Sequence, residues 1–123
     1  MGIRTPALEA AHAGLAALSS RYVDVDRVPW QKTPFPGVEI KVLMEEPGGV
    51  MTTLTRLAPG AELPMHEHTE LEQSWVLEGR LVDHEGEVTA GNFVWRPGGS
   101  RHTARAPEGC LVLGFFLKPN KFL

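Results

Sequence analysis

Five histidines occur in the chain, and three of them fall into a pattern with one glutamate. His66 and His68 stand two apart in the stretch Gly60-Ala-Glu-Leu-Pro-Met-His66-Glu-His68-Thr-Glu-Leu-Glu72. On an extended strand, alternate side chains share a face. The two imidazoles therefore point the same way, with Cα atoms about 7 Å apart at ~3.4 Å rise per residue. That spacing lets two ring nitrogens converge on one ion, since histidine nitrogen binds a transition metal at about 2.0–2.1 Å. A turn over Thr69–Leu71 brings Glu72 back beside them, although Glu70 shares strand parity with His68 and competes for the role. A fourth ligand has to come from elsewhere in the chain, and His102 is the first candidate.

Three imidazoles and one carboxylate form a nitrogen-rich set suited to a divalent transition metal: Fe(II), Zn(II), Ni(II), Mn(II) or Co(II). It is not the closed thiolate cage of a structural zinc site. An octahedral ion held this way keeps two positions for water, substrate or oxygen, and Glu72 either stays a ligand or leaves to act as a base. The other histidines read differently. His84 lies in the turn signature Asp83-His84-Glu85-Gly86 and is expected in solvent, and His12 belongs to the N-terminal stretch. Cys110, the single cysteine, opens an apolar segment and reads as a small buried hydrophobe. One cysteine allows no internal disulfide and fits a reducing, cytoplasmic setting.

These residues need strands to hold them. Gly and Pro clusters recur at Pro34–Gly37, Pro47–Gly49, Pro59–Gly60, Glu78–Gly79, Glu85–Gly86, Pro97–Gly99 and Pro107–Gly109. Between them lie short segments rich in β-branched, aliphatic and aromatic residues: Val38–Met44, Val50–Leu57, Gln73–Leu77, Leu81–Asp83, Phe93–Trp95 and Leu111–Leu117. Segments this short at this spacing predict an all-β antiparallel sandwich or barrel. Ahead of them, Leu8, Ala11, Leu15 and Leu18 form one apolar stripe at helical spacing, so a helical segment over residues 1–20 is expected before a β domain over 21–123. Trp30, Trp75 and Trp95 are expected in the core or at an interface, and Arg56, Arg96 and Arg105 on a solvated surface from which one could anchor an anionic substrate.

The bulk numbers narrow the function classes. With 123 residues the chain is one domain in length. A net charge of −3 with no basic cluster argues against nucleic acid as a partner. The sequence has no apolar run near the ~18 residues of a membrane span, so no membrane role is expected. No Gly-rich phosphate loop follows a strand.

The spacing of the candidate ligands also carries a family likeness. Gly60-x5-His66-x-His68-x3-Glu72-x6-Gly79 resembles the first cupin motif, and Gly91-x5-Pro97-x-Gly99-x2-His102 the second; Ala106 departs from the Asn usual there. The chain resembles the RmlC-like cupins, which implies a single cupin jelly-roll β-barrel with metal ligands at His66, His68, Glu72 and His102. That motif spacing selects Glu72 over Glu70, which then becomes a rim residue. Asp26–Trp30, Pro36–Val38, Leu57–Gly60, Val76–Gly79, Pro97–His102 and Glu108–Cys110 are similar to the cupin-like domain of ChrR-type anti-sigma factors and to acetylacetone (diketone) dioxygenases. The dioxygenase likeness implies a three-histidine site and a small carbonyl, enol or diketone substrate. The ChrR likeness implies a non-catalytic zinc-binding sensor module. A non-oxidative metal-assisted isomerase or lyase is a third reading. A homodimer is expected, as small cupins commonly pair.

Overall fold

The computed structural model describes residues 18–123. The chain divides into two compact units, Met1–Trp30 and Gln31–Leu123. The helical segment expected over residues 1–20 lies outside the described residues except for its last three. The described part of the first unit is irregular apart from a 3-10 turn at Val25–Arg27, closed by the Val28 N–H on the Val25 carbonyl at 3.2 Å.

The second unit is built from strands: β1 (Gln31–Lys32), β2 (Val38–Glu45), β3 (Met51–Leu57), β4 (Ala61–Glu67), β5 (Glu72–Val82), β6 (Glu87–Thr89), β7 (Phe93–Arg96), β8 (Arg101–Ala106), β9 (Cys110–Phe116) and β10 (Lys121–Phe122). One sheet runs β1-β2-β3-β9-β5-β7 and the other β6-β5-β8-β4-β10, with every neighbour antiparallel. This is the all-β jelly roll that the sequence leads one to expect. Four of the expected segments become β2, β3, β7 and β9 to within one residue at each end.

The other two segments require a correction. Gln73–Leu77 and Leu81–Asp83 are not separate strands divided by a turn at Glu78–Gly79; they form the single strand β5. Its first part ladders with β9 as far as Gly79↔Cys110, and its last part, Arg80–Val82, ladders with β6 in the other sheet. Gly79 sits where the strand passes from one sheet to the other. Its φ is +71, and a Cβ there would lie 2.0 Å from the Gly109 carbonyl oxygen. Only glycine makes that passage, and the residue that reads as a turn is a bend inside a continuous strand.

Alternation puts small and branched apolar residues inside. Val38, Leu57, Ala61, Val76, Val88, Ala106, Cys110 and Val112 form the core cluster, with Phe35, Leu63, Leu81 and Val94 packed against it. β8 shows the pattern most plainly, with His102, Ala104 and Ala106 buried and Arg101, Thr103 and Arg105 exposed.

Candidate metal centre

β4 changes the face it turns inward part-way along. Its residues pair with β8 as Ala61↔Ala106 and Leu63↔Ala104, then resume at His66↔His102. Pro64 and Met65 thus stand opposite the single residue Thr103, which is a β-bulge. The inward parity moves from odd positions, Ala61 and Leu63, to even ones, His66 and His68. Without the extra residue, strict alternation would turn His66 to solvent. Proline is tolerated at a bulge because its missing N–H leaves no ladder bond unmade.

His68 lies just past β4, held by its own backbone. Its N–H donates to the Ser100 carbonyl at 2.9 Å, and its carbonyl accepts from the Gly99 N–H at 2.6 Å. The result is three buried imidazoles, His66, His68 and His102, each offering a ligand atom within 4.8 Å of the others. Their ring centroids are 4.5–5.0 Å apart.

Each ring has its Nδ1 tied to an oxygen. His66 Nδ1 donates to the Pro64 carbonyl at 2.8 Å, so the bulge that turns the ring inward also orients it. His68 Nδ1 donates to Asn120 Oδ1 at 3.0 Å, and His102 Nδ1 to Asp83 Oδ2 at 2.9 Å. A neutral imidazole carries one N–H. With that proton on Nδ1, Nε2 is left as a bare lone pair, which is the form a metal takes. His68 Nε2 is buried with no hydrogen-bond partner.

The charge state agrees. Burial holds His102 down to about 4, with the Arg96 charge adding to the effect and the Asp83 bond opposing it. Burial also lowers His66, against the raising effect of the Pro64 carbonyl. Both rings are therefore neutral at neutral pH.

Asp83 is tied on both oxygens. Oδ1 accepts from the N–H groups of Glu85 and Gly86 at 2.8 and 3.1 Å and closes the turn that the sequence predicts. Oδ2 receives His102 and a salt bridge from Arg96 Nη1, both at 2.9 Å. Burial alone would raise the Asp83 carboxyl, but the His102 bond, the turn N–H groups and the Arg96 charge leave it lowered.

Glu72 adjoins this group without being one of its three members. Its Oε1 accepts from Ser74 Oγ at 3.2 Å, and its Oε2 lies against His68 Nδ1. That oxygen is buried and has no partner in hydrogen-bond geometry. Two buried polar atoms are thus left without a partner, His68 Nε2 within the three-histidine group and Glu72 Oε2 against Nδ1 of the same ring, and the three imidazoles are a donor set that a divalent cation fits.

Two rings of the group, His66 and His102, line a cavity of about 250 Å³. His66, Glu72, Arg96, His102 and Asn120 contribute polar atoms, while Val38, Leu57, Val112, Phe116 and Phe122 are among its apolar walls.

A family model, the ChrR cupin-like domain, matches residues 18–119. The chain belongs to that family. Several solved structures resemble this cupin. A protein assigned to the acetylacetone dioxygenases, from Methylibium petroleiphilum, is 21% identical with a TM-score of 0.81, over 89% of this chain and 84% of that one. An acetylacetone dioxygenase from Acinetobacter johnsonii is 17% identical with a TM-score of 0.80, over 89% and 82%. The complex of SigE with the anti-sigma factor ChrR from Rhodobacter sphaeroides is matched at 26% identity and a TM-score of 0.65, over 75% of this chain but only 50% of that one. No curated protein gives a significant match.

Of the four residues that the cupin pattern selects, the structure groups His66, His68 and His102, with Glu72 adjoining them outside the group, and it adds the supports of the rings. Asn120 and Asp83 are supports that the sequence does not announce. Asn120 has no local signal, and Asp83 resembles any turn-opening aspartate. Arg96 is corrected from a solvated surface residue to a nearly buried partner of Asp83, whereas Arg56 pairs with Glu39 at the surface at 2.9 Å and Arg105 is exposed. Glu70 and His84 are exposed, as expected, and Cys110 is buried. Trp75 and Trp95 are 46% and 59% exposed, so neither fills the core.

Proposed function

We propose that this cupin is a metal-dependent dioxygenase acting on a small carbonyl, enol or diketone substrate, with His66, His68, His102 and Glu72 as the metal ligands. The observation that carries the reading is the arrangement of three buried imidazoles with every Nδ1 tied to oxygen, two of which, His66 and His102, line a cavity with apolar walls such as Val112, Phe116 and Phe122. A redox-active divalent ion in this set would supply Lewis acidity and an open position for oxygen. The chain supplies the rest. Apolar walls such as Phe116 and Phe122 take the alkyl ends of a substrate and keep water out. The Arg96 guanidinium puts a fixed positive charge at the cavity, which suits an enolate. Glu72 is the fourth ligand in this reading; released from it, the same carboxylate is the base within reach of an acidic C–H. Apolar side chains exposed on the outer face, Trp75, Phe93 and Trp95, support a homodimer.

The family match and the likeness to the ChrR complex support a second reading, a non-catalytic zinc-binding module. The two separate in one experiment: metal content by mass spectrometry on untagged protein, and oxygen uptake with a panel of diketones after anaerobic Fe(II) loading. Near-stoichiometric metal with iron-dependent uptake is the expected result. One zinc per chain, with no uptake under any loading, replaces the enzyme with the binding module. No metal after reloading removes both.

A further inference from the structure

The partner of His68 comes from far along the chain. Asn120 lies 52 residues away, yet its Oδ1 is 3.0 Å from His68 Nδ1. The segment that carries it is fastened to the β4 side of the barrel on both flanks. Thr69 Oγ1 donates to the Pro119 carbonyl at 3.0 Å, β10 pairs with β4 through Lys121↔Glu67 and Phe122↔His66, and the Leu123 N–H reaches the Met65 carbonyl at 3.1 Å. The Phe122 ring packs on Phe35 and on His66 itself, with centroids 4.6 and 5.1 Å apart.

We propose that Asn120 is a positioning residue of the metal site. Its amide oxygen fixes His68 in the tautomer that bares Nε2, and segment 118–123 is thereby part of the centre. An amide oxygen can only accept, so the ring proton facing it is on Nδ1. Glu72 Oε2 touches the same nitrogen but makes no bond of hydrogen-bond geometry, which leaves the task to Asn120. Were Asn120 absent, nothing in good geometry would hold the proton on Nδ1. The ring could then carry it on the nitrogen that has to face the metal. The inference rests on the reading of the three-histidine group as a metal centre, and its test is chosen to fail separately.

The His68 tautomer is read from long-range proton–nitrogen correlations on metal-free protein, and cobalt affinity from competition titration. In the wild type, His68 is expected with its proton on Nδ1. Asn120→Ala is expected to show a mixture of tautomers and a cobalt affinity about 10–100-fold weaker, the range for loss of a partner behind a metal-bound histidine. Asn120→Asp keeps an acceptor in place and should retain both the tautomer and the affinity to within a few-fold. Thr69→Val loosens the segment without touching His68 and should do the same. A His68 tautomer unchanged in Asn120→Ala but altered in Glu72→Gln overturns the proposal in favour of Glu72. An affinity loss in Thr69→Val equal to that in Asn120→Ala overturns it too, since the segment would then act only as packing. A wild type that binds no cobalt sinks the metal reading, and the tautomer comparison still decides the role of Asn120.

Discussion

The two ends of the β4–β8 ladder are built on opposite principles. At one end Ala61 faces Ala106 among Leu57, Val76, Cys110 and Val112, with no polar side chain in the cluster. At the other, past Leu63 and Ala104, His66 faces His102, and every inward ring needs an oxygen behind it. The apolar end asks only for volume and shape, which neighbouring strands supply by alternation. The histidine end asks for specific acceptors, and the chain brings them from a bulge, a turn and the distant segment just ahead of β10. Stability should therefore reside mainly at one end and metal chemistry at the other, although the two share strands.

The largest effect that tests this separation is at the apolar end. Leu57 is 2% exposed and belongs to the core cluster. Leu57→Ala is expected to cost about 2–5 kcal/mol by leaving a cavity. Metal bound per folded chain should not change. Chemical denaturation followed by metal analysis of the folded fraction checks both halves. A variant that folds normally but loses its metal would mean the two ends are coupled.

The reverse experiment sits at the other end and is smaller in energy. His102→Ala removes one of the proposed ligands and should abolish stoichiometric metal binding, while the melting temperature of the metal-free protein moves by only a few degrees. Asp83→Asn is subtler. It keeps an oxygen for His102 Nδ1 and weakens the pair with Arg96, so metal affinity should fall about 10–100-fold without loss of fold. Competition titration with a chromophoric chelator measures it. An unchanged affinity would make Asp83 a turn residue and nothing more.

How far this division can be read in the sequence differs between the two ends. The pair His66 and His68 is legible because both lie on one short stretch, where covalent spacing fixes their geometry. His102 is legible through a spacing pattern, which also selects Glu72, the residue that adjoins the group from outside. The bulge at Pro64–Met65 is not, because a parity change leaves no mark in composition; counting by twos from Ala61 turns His66 outward. β8 escapes notice as a strand because its inward residues besides His102 are alanines, too small to register as an apolar run. Gly79 reads as a turn because glycine marks both turns and bends, and only the sheet to be crossed tells them apart. Asn120 and Arg96 act through tertiary placement alone. For Trp75 and Trp95 the sequence leaves core and interface open; the structure puts them out of the core, with Phe93, at 45–59% exposed.

The smallest expected effect comes from the one titratable group inside the apolar cluster. Cys110 pairs in register with Leu57 and with Gly79, and burial pushes its thiol up from 9.0 to about 11. Between those values the native chain keeps a proton that the unfolded chain releases. Stability is then fully present below pH 9 and falls as pH rises towards 11, since the unfolded state binds fewer protons there. Lysines and other groups titrate in the same range, so the contribution of the thiol is isolated as a difference in slope. Melting temperature plotted from about pH 8 to pH 10.5 should fall more steeply for the wild type than for Cys110→Ala, even though the variant starts lower for want of packing. The same displacement makes the thiol slow to react, because only the thiolate is nucleophilic; alkylation at about pH 8 should run roughly 100-fold slower than in the unfolded chain. Parallel slopes together with rapid alkylation would mean that this end of the ladder opens to water. The contrast with the histidine end would then be one of composition and not of access.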